Sequence, residues 1–156
     1  MDLEGTKLIA ADRATVWARL NDPAMLKAAI PGCTELTGTP EAGFTAVVVQ
    51  KVGPVSATFR GVVQLTDVKV PESYRIVGEG KGGVAGFAKG SADVRLTQVA
   101  DGTELTWKVE AHVGGKLAQL GNRVIAGFAR KMADEFFERF AADTAPDAVP
   151  DAASPR

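Results

Sequence analysis

Three features of the chain have residue types that could take part in chemistry: one histidine, one cysteine and a glycine-rich run. His112 and Cys33 are the only residues of their types. A general base, a metal centre or an activated thiol needs partner groups close by, and the sequence supplies no second histidine or cysteine. His112 falls on the polar face of an alternating segment, opposite Trp107. We interpret His112 as exposed, Cys33 as a small apolar side chain, and neither as catalytic.

The glycine-rich run matches the G-x-G-x-x-G spacing of dinucleotide-binding turns through Gly78, Gly80 and Gly83. In such a turn, the glycines connect a strand to a helix whose N-terminus faces the pyrophosphate. Here Gly86 and a further alternating segment follow, so the pattern lacks the required helix. We interpret the run as a hairpin in which bare backbone lets strands bend or lets a ligand approach closely.

Composition and charge argue against several other classes of protein. The 156 residues are 46% hydrophobic and carry a net charge of −1, which gives no general attraction to nucleic acid. A single cysteine cannot form an internal disulfide, the acidic N-terminus does not resemble a signal peptide, and no apolar run approaches the ~20 residues that span a bilayer. We expect a cytoplasmic protein, with peripheral contact at the inner face of the cytoplasmic membrane as the alternative.

Hydrophobic periodicity predicts the elements that position these residues. Apolar residues alternate over 55–65 and 103–113, which indicates strands, and recur every three or four residues over 116–141, which indicates a helix. Asp12 and Asp22 are typical N-caps for two short helices at 13–21 and 23–30. Further strands are expected at 2–10, 33–39, 44–52, 74–80 and 86–98. Residues 1–141 then form one domain, and residues 142–156, rich in Asp, Ala and Pro, a disordered tail.

This order of elements predicts an α+β fold, with a curved antiparallel sheet of six or seven strands around the long C-terminal helix. A helix that lies on a curved sheet leaves room for a pocket between the two, which would suit an apolar ligand. The alternation of side chains between the two faces of each strand (strand parity) and the apolar stripe of the helix indicate which side chains would border this pocket. The expected ligand-binding residues are Phe59, Val63, Trp107, Leu117, Leu120, Val124 and Phe128.

Several segments also carry a resemblance to a known family. The strongest are Ile30-Pro31-Gly32-Cys33 and Lys51-Val52-Gly53-Pro54, supported by segments 11–23, 55–61, 78–92 and 115–121. Through them, residues 1 to about 141 resemble the CoxG family of carbon monoxide dehydrogenase subunits, within the START-like, polyketide-cyclase-like (SRPBCC) superfamily. The resemblance implies the helix-grip fold of that superfamily.

The resemblance also implies a function. It indicates a non-catalytic accessory protein of a molybdenum hydroxylase of the carbon monoxide dehydrogenase type, without a covalent cofactor. The pocket would bind a quinone, and electron transfer through the quinone would link the enzyme to the membrane respiratory chain. Our own hypothesis is that the isoprenoid tail lies inside the pocket and the polar ring near its mouth. The expected partners are this apolar ligand and the hydroxylase subunits, and not nucleic acid.

Two alternatives stay open at this point. One is a small cyclase or hydrolase that uses a polar group in the same cavity, for which Tyr74 is the candidate because it shares strand parity with Ile76. The other is an assembly factor with a vestigial pocket. The remaining inward positions are apolar or glycine, which favours the binding protein.

Overall fold

The computed structural model describes residues 1–144, which form one seven-stranded antiparallel sheet and three α-helices. The strands lie in the order β1-β7-β6-β5-β4-β3-β2, and every neighbouring pair is antiparallel. Their bounds are β1 Asp2–Ile9, β2 Cys33–Thr39, β3 Gly43–Val52, β4 Val55–Lys69, β5 Ser73–Lys81, β6 Phe87–Val99 and β7 Gly102–Gly114. The helices are α1 Arg13–Leu20, α2 Pro23–Ala29 and α3 Asn122–Thr144. The predicted α+β architecture is confirmed.

The two short helices begin where their capping residues predict. The Asp12 carboxylate accepts a hydrogen bond from the backbone N–H of Thr15 at 2.8 Å, and hydrogen bonds from Thr15 lower the pKa of this carboxyl group. Asp22 accepts from the N–H of Ala24 at 3.0 Å, and Pro23 occupies the first turn, where its missing N–H has no helical partner to lose. These caps fix the first residues of α1 and α2, which follow β1 and precede β2 along the chain.

The C-terminal helix differs from the prediction at both ends. Residues Gly115–Leu120 form a 3₁₀ turn, and Gly121 then adopts a φ of +88°, which favours glycine and interrupts a continuous helix. The α-helix therefore starts at Asn122 rather than at residue 116. At its other end it continues to Thr144, three residues into the predicted tail, and residues 145–156 lie outside the described part of the chain.

Two apolar clusters fill the space between the sheet and the helices. The larger one packs α1, α2 and the C-terminal half of α3 on the sheet, with Ile9, Leu105 and Phe140 fully buried. The smaller one joins the 3₁₀ turn and the first turns of α3 to β3, around Val52, Leu117 and Ile125. The two clusters occupy opposite ends of the concave face, and the middle of this face lies between them.

Candidate functional site

The middle of the concave face carries mostly very small side chains on five adjacent strands. Strand pairing places these residues side by side in two rows across the sheet, because paired residues of antiparallel strands point to the same face. One row is Ala46, Gly61, Gly80 and Ala88, and the next is Val63, Gly78, Gly90 and Ala111. The sheet therefore presents a broad area of nearly bare backbone towards its helices.

This area is the floor of an apolar cavity with two adjoining sections. The wider section has a volume of about 410 Å³ and is bordered by Phe59, Val63 and Ile30 in addition to the small residues. No residue of α3 lines it, so it opens to solvent. The narrower section, about 220 Å³, continues below α1, α2 and the C-terminal half of α3. Both sections share Ile30, Ala46, Val63 and Ile76, and the wider one reaches the size range of ligand-binding pockets.

Glycine at the floor of the cavity is not required by the backbone at every position. Gly61 and Gly80 have no positive φ, and a Cβ atom added to them would find its nearest neighbour at 3.5 Å and 3.9 Å, an ordinary contact. At Gly90, by contrast, a Cβ atom would collide with the carbonyl oxygen of Glu110. At Gly61 and Gly80, side chains are sterically allowed and would project into the cavity. Their absence therefore creates cavity volume.

The structure brings some of the seven sequence-predicted site residues to this cavity. Phe59 and Val63 line the wider section. Phe59 also packs in the smaller cluster, where Leu117 is buried and Leu120 and Phe128 are partly buried. These three side chains thus adjoin the end of the cavity through Phe59 instead of lining its floor.

Trp107 and Val124 lie elsewhere. Trp107 belongs to the larger cluster, where its ring covers Gly5 of β1, stacks on Phe137 at 5.6 Å and lies 5.3 Å below the Arg130 guanidinium. It has the inward parity that the alternation predicts, but its position along β7 places it below α3. Val124 is 41% exposed in the first turn of α3.

Polar side chains are scarce around the cavity. Among residues 1–144, Tyr74 on β5 is the only polar side chain that lines the narrow section, and it is 5% exposed. Its ring contacts Trp17 of α1 edge to face, with the ring centroids 5.2 Å apart. Burial raises the pKa of the Tyr74 phenol, so it stays protonated at physiological pH. In the wider section, Glu79, Lys89 and Glu110 are exposed and have the opposite strand parity, which directs their side chains to the outer face.

The other candidate groups do not meet in a site. His112 is exposed on the outer face of β7, as the alternation predicts. Cys33 is partly buried, its thiol lies 3.3 Å from the Glu35 carbonyl oxygen, and burial raises the pKa of this thiol, which keeps it protonated. Across residues 1–144, no three or more His, Cys, Asp or Glu side chains are grouped as a metal would require.

Sequence reasoning missed Gly61, Gly80, Ala88 and Ala111 as lining residues. The available signal was the inward parity of the small residues in four consecutive strands. The sequence alone does not show which of these residues lie side by side, because the rows form only when the strands pair in register. A glycine-rich hairpin and a cavity floor have the same local pattern.

Comparison with known proteins assigns the family. The family described as the carbon monoxide dehydrogenase subunit CoxG matches residues 5–145. The chain belongs to the CoxG family. A search of curated proteins gave no match.

Solved structures agree with this assignment. A conserved protein from Geobacillus kaustophilus is 29% identical and superimposes with a TM-score of 0.86, over 94% of this chain and 97% of the other. A protein from Rhodobacter sphaeroides, 22% identical, gives 0.62 over 92% of both chains, and one from Chromobacterium violaceum, 13% identical, gives 0.69 over 94% and 99%. The last two show the fold alone. None of the helices within residues 1–144 combines the length and apolarity needed to span a membrane.

Proposed function

We propose that this CoxG-family protein is a non-catalytic accessory protein of a molybdenum hydroxylase of the carbon monoxide dehydrogenase type. In this proposal it binds a quinone in its apolar cavity and links the hydroxylase to the membrane respiratory chain. Family membership supports the hydroxylase partner. The observation that supports ligand binding is the apolar cavity over the glycine floor, whose two sections adjoin.

The dimensions of the cavity favour a long, narrow and apolar ligand. Tyr74 lines the narrow section and Gly80 the wider one, and both lie on β5 six positions apart, which corresponds to about 20 Å of extended strand. Each CH₂ group buried along this path contributes about 0.8 kcal/mol. A polyisoprenoid chain gains affinity in this way without needing charged partners.

The cyclase or hydrolase alternative receives less support. Acid–base catalysis needs a titratable group within hydrogen-bond reach of the substrate. The narrow section contains one such group, the Tyr74 phenol, and no carboxylate, imidazole or ammonium side chain lines it in the part of the chain that the structure describes. The raised pKa of Tyr74 also makes it a poor base at neutral pH.

A rim at the end of the cavity suits an anionic membrane surface. We define the rim as segments 51–56, 81–87 and 114–124. They lie together because the 3₁₀ turn Gly83–Ala85 contacts the 3₁₀ turn Gly115–Leu120 and Gly53 approaches Val124. The three segments contain four basic residues and no acidic one. Val84, Phe87 and Val124 are 90%, 40% and 41% exposed there. Exposed apolar side chains among basic ones bind anionic lipid headgroups and insert shallowly between them.

Titration of the purified protein with menaquinone and ubiquinone analogues tests the proposal. Trp17 is a suitable reporter because it contacts Tyr74 at the inner end of the cavity. We expect saturable quenching of tryptophan fluorescence and co-purification of quinone from the native host. The carrier function is wrong if neither quinone changes the signal below its solubility while a small polar substrate is turned over.

A further inference from the structure

The two ends of the cavity differ in how they are bounded. At the inner end, the narrow section stops at the buried side chains of Leu20, Tyr74 and Val94, which belong to the larger apolar cluster. At the other end, the wider section reaches Gly80, which directly precedes the rim segment 81–87. A ligand chain that follows β5 therefore has a fixed stop at one end and an exit at the other.

The polarity of the two ends indicates which part of a ligand each one accepts. Within residues 1–144, every residue that lines the narrow section except Tyr74 is apolar. A polar head group would lose its contacts with water there and gain few partners in exchange. The rim, by contrast, carries the basic residues Lys51, Lys81, Lys116 and Arg123. The chain end of a ligand thus suits the narrow section, and its head group suits the rim.

The distance between the two ends corresponds to a definite chain length. Tyr74 and Gly80 lie six positions apart on β5, which is about 20 Å of extended strand. A chain of single bonds of about 1.5 Å, with bond angles of about 111°, advances about 1.25 Å per bond when extended. About 16 carbon atoms, or about four isoprene units, therefore span the path from the inner end to the rim.

We propose that the cavity selects its ligand by chain length and holds about 16 chain carbons, with the chain end against Leu20, Tyr74 and Val94. This inference rests on the proposed function and specifies the part of the ligand that the site recognises. A shorter chain leaves the narrow section empty. In a longer chain, the additional carbons lie outside the cavity at the rim and add little to the affinity.

A series of n-alkylphosphocholines tests this proposal, because the head group stays constant while the chain grows. We would measure the affinity of the full-length protein by isothermal titration calorimetry, below the micelle-forming concentration of each compound. The chains run from about 6 to about 22 carbons, a range that brackets the expected length. Up to about 16 carbons, the affinity should rise about fourfold for each CH₂ group. Beyond that length, it should change by less than about 1.5-fold per carbon.

Val63→Phe should lower the chain length at which the affinity stops rising. Val63 borders both sections of the cavity and pairs with Gly78, four positions from Tyr74. A phenylalanine there would separate the narrow section, so the affinity should stop rising near about six carbons. Val62→Phe is the matched control, because Val62 is 55% exposed on the outer face, and it should keep the wild-type limit. If Val63→Phe does not fold, Ala46→Leu takes its place, because Ala46 also borders both sections.

Three results would overturn selection by chain length. They are an affinity that keeps rising up to the longest chain, an affinity that does not rise with chain length at all, and a limit that stays the same when the junction is filled. A parallel series of quinones with the same alkyl chains decides the proposed function separately. If the limit appears with phosphocholines but the quinones do not bind, the cavity selects chains and the quinone proposal is wrong. If the quinones bind without a limit, the reverse holds.

Discussion

Filling the floor of the cavity should raise stability and weaken ligand binding at the same time. We consider Gly80→Val, because a Cβ atom on Gly80 meets nothing closer than the Arg60 carbonyl oxygen at 3.9 Å. Removing glycine from a strand interior recovers about 0.5–1 kcal/mol, and each added methyl group contributes up to ~0.8 kcal/mol when buried. Because the wider section is partly open, we expect the free energy of unfolding to rise by about 1–2 kcal/mol, or roughly 3–6 °C in Tm.

The same three carbon atoms occupy space that the ligand would use. If they displace three ligand carbons from the floor, the loss is ~2.4 kcal/mol, which is roughly fiftyfold in affinity. Urea unfolding measures the first effect and quinone titration the second. Gly127→Ala is the control, because Gly127 is exposed on α3 with open space around it. It should stabilise the helix by about 1 kcal/mol without changing affinity.

Two outcomes would refute this reasoning. A fall in the free energy of unfolding for Gly80→Val would mean that the floor has no room for a side chain. Unchanged quinone affinity in a stabilised Gly80→Val protein would mean that the ligand does not lie over the floor. The Gly127→Ala control separates both outcomes from a general effect of stability on binding.

Three further predictions concern the rim, the core and a helix cap. Val84→Asp should weaken binding to phosphatidylserine-containing vesicles about tenfold in a sedimentation assay, since it removes an apolar contact and adds a repelled charge, whereas Val62→Asp, also exposed but on the outer face of β4, should not. Thr103→Val should lower the free energy of unfolding in urea by about 1–3 kcal/mol, because the buried Ala11 carbonyl loses its partner. The pKa of Asp12 is lowered in the folded state, so its ionised carboxylate stabilises the fold above the unfolded-state pKa. This stabilisation is lost as the pH falls through the folded-state pKa. The difference in urea midpoint between wild type and Asp12→Ala should therefore be full at pH 7 and shrink below about pH 4, and a difference that persists at pH 2 would contradict this explanation.

Much of the fold could be predicted because its signals are local. Alternation over 55–65 and 103–113 sets which residues share a face, and Asp12 and Asp22 mark two helix starts from their own side chains. Helix α3 was predicted from its periodicity, but its first residue was not. The periodicity continues through Leu117 and Leu120, and only the backbone conformation of Gly121 separates the 3₁₀ turn from the helix.

The cavity depends on contacts between distant parts of the chain. Parity assigned both Phe59 and Trp107 to the inward face, and both side chains do point there. Which of them borders this cavity depends on where α3 lies along the strands, and α3 covers Trp107 while leaving the floor beside Phe59 open.

Sequence alone determined the family, the order of the elements and which side chains of most strands face inward. Each of these depends on residues that are close together in the sequence. The tertiary structure decided that Gly61, Gly80 and Ala88 form one floor, because strand register brings residues from three strands into one row. It also decided that Tyr74 is buried, since burial depends on the helices packed above it. Side-chain volume that is missing from several strands becomes a cavity only when those strands lie side by side.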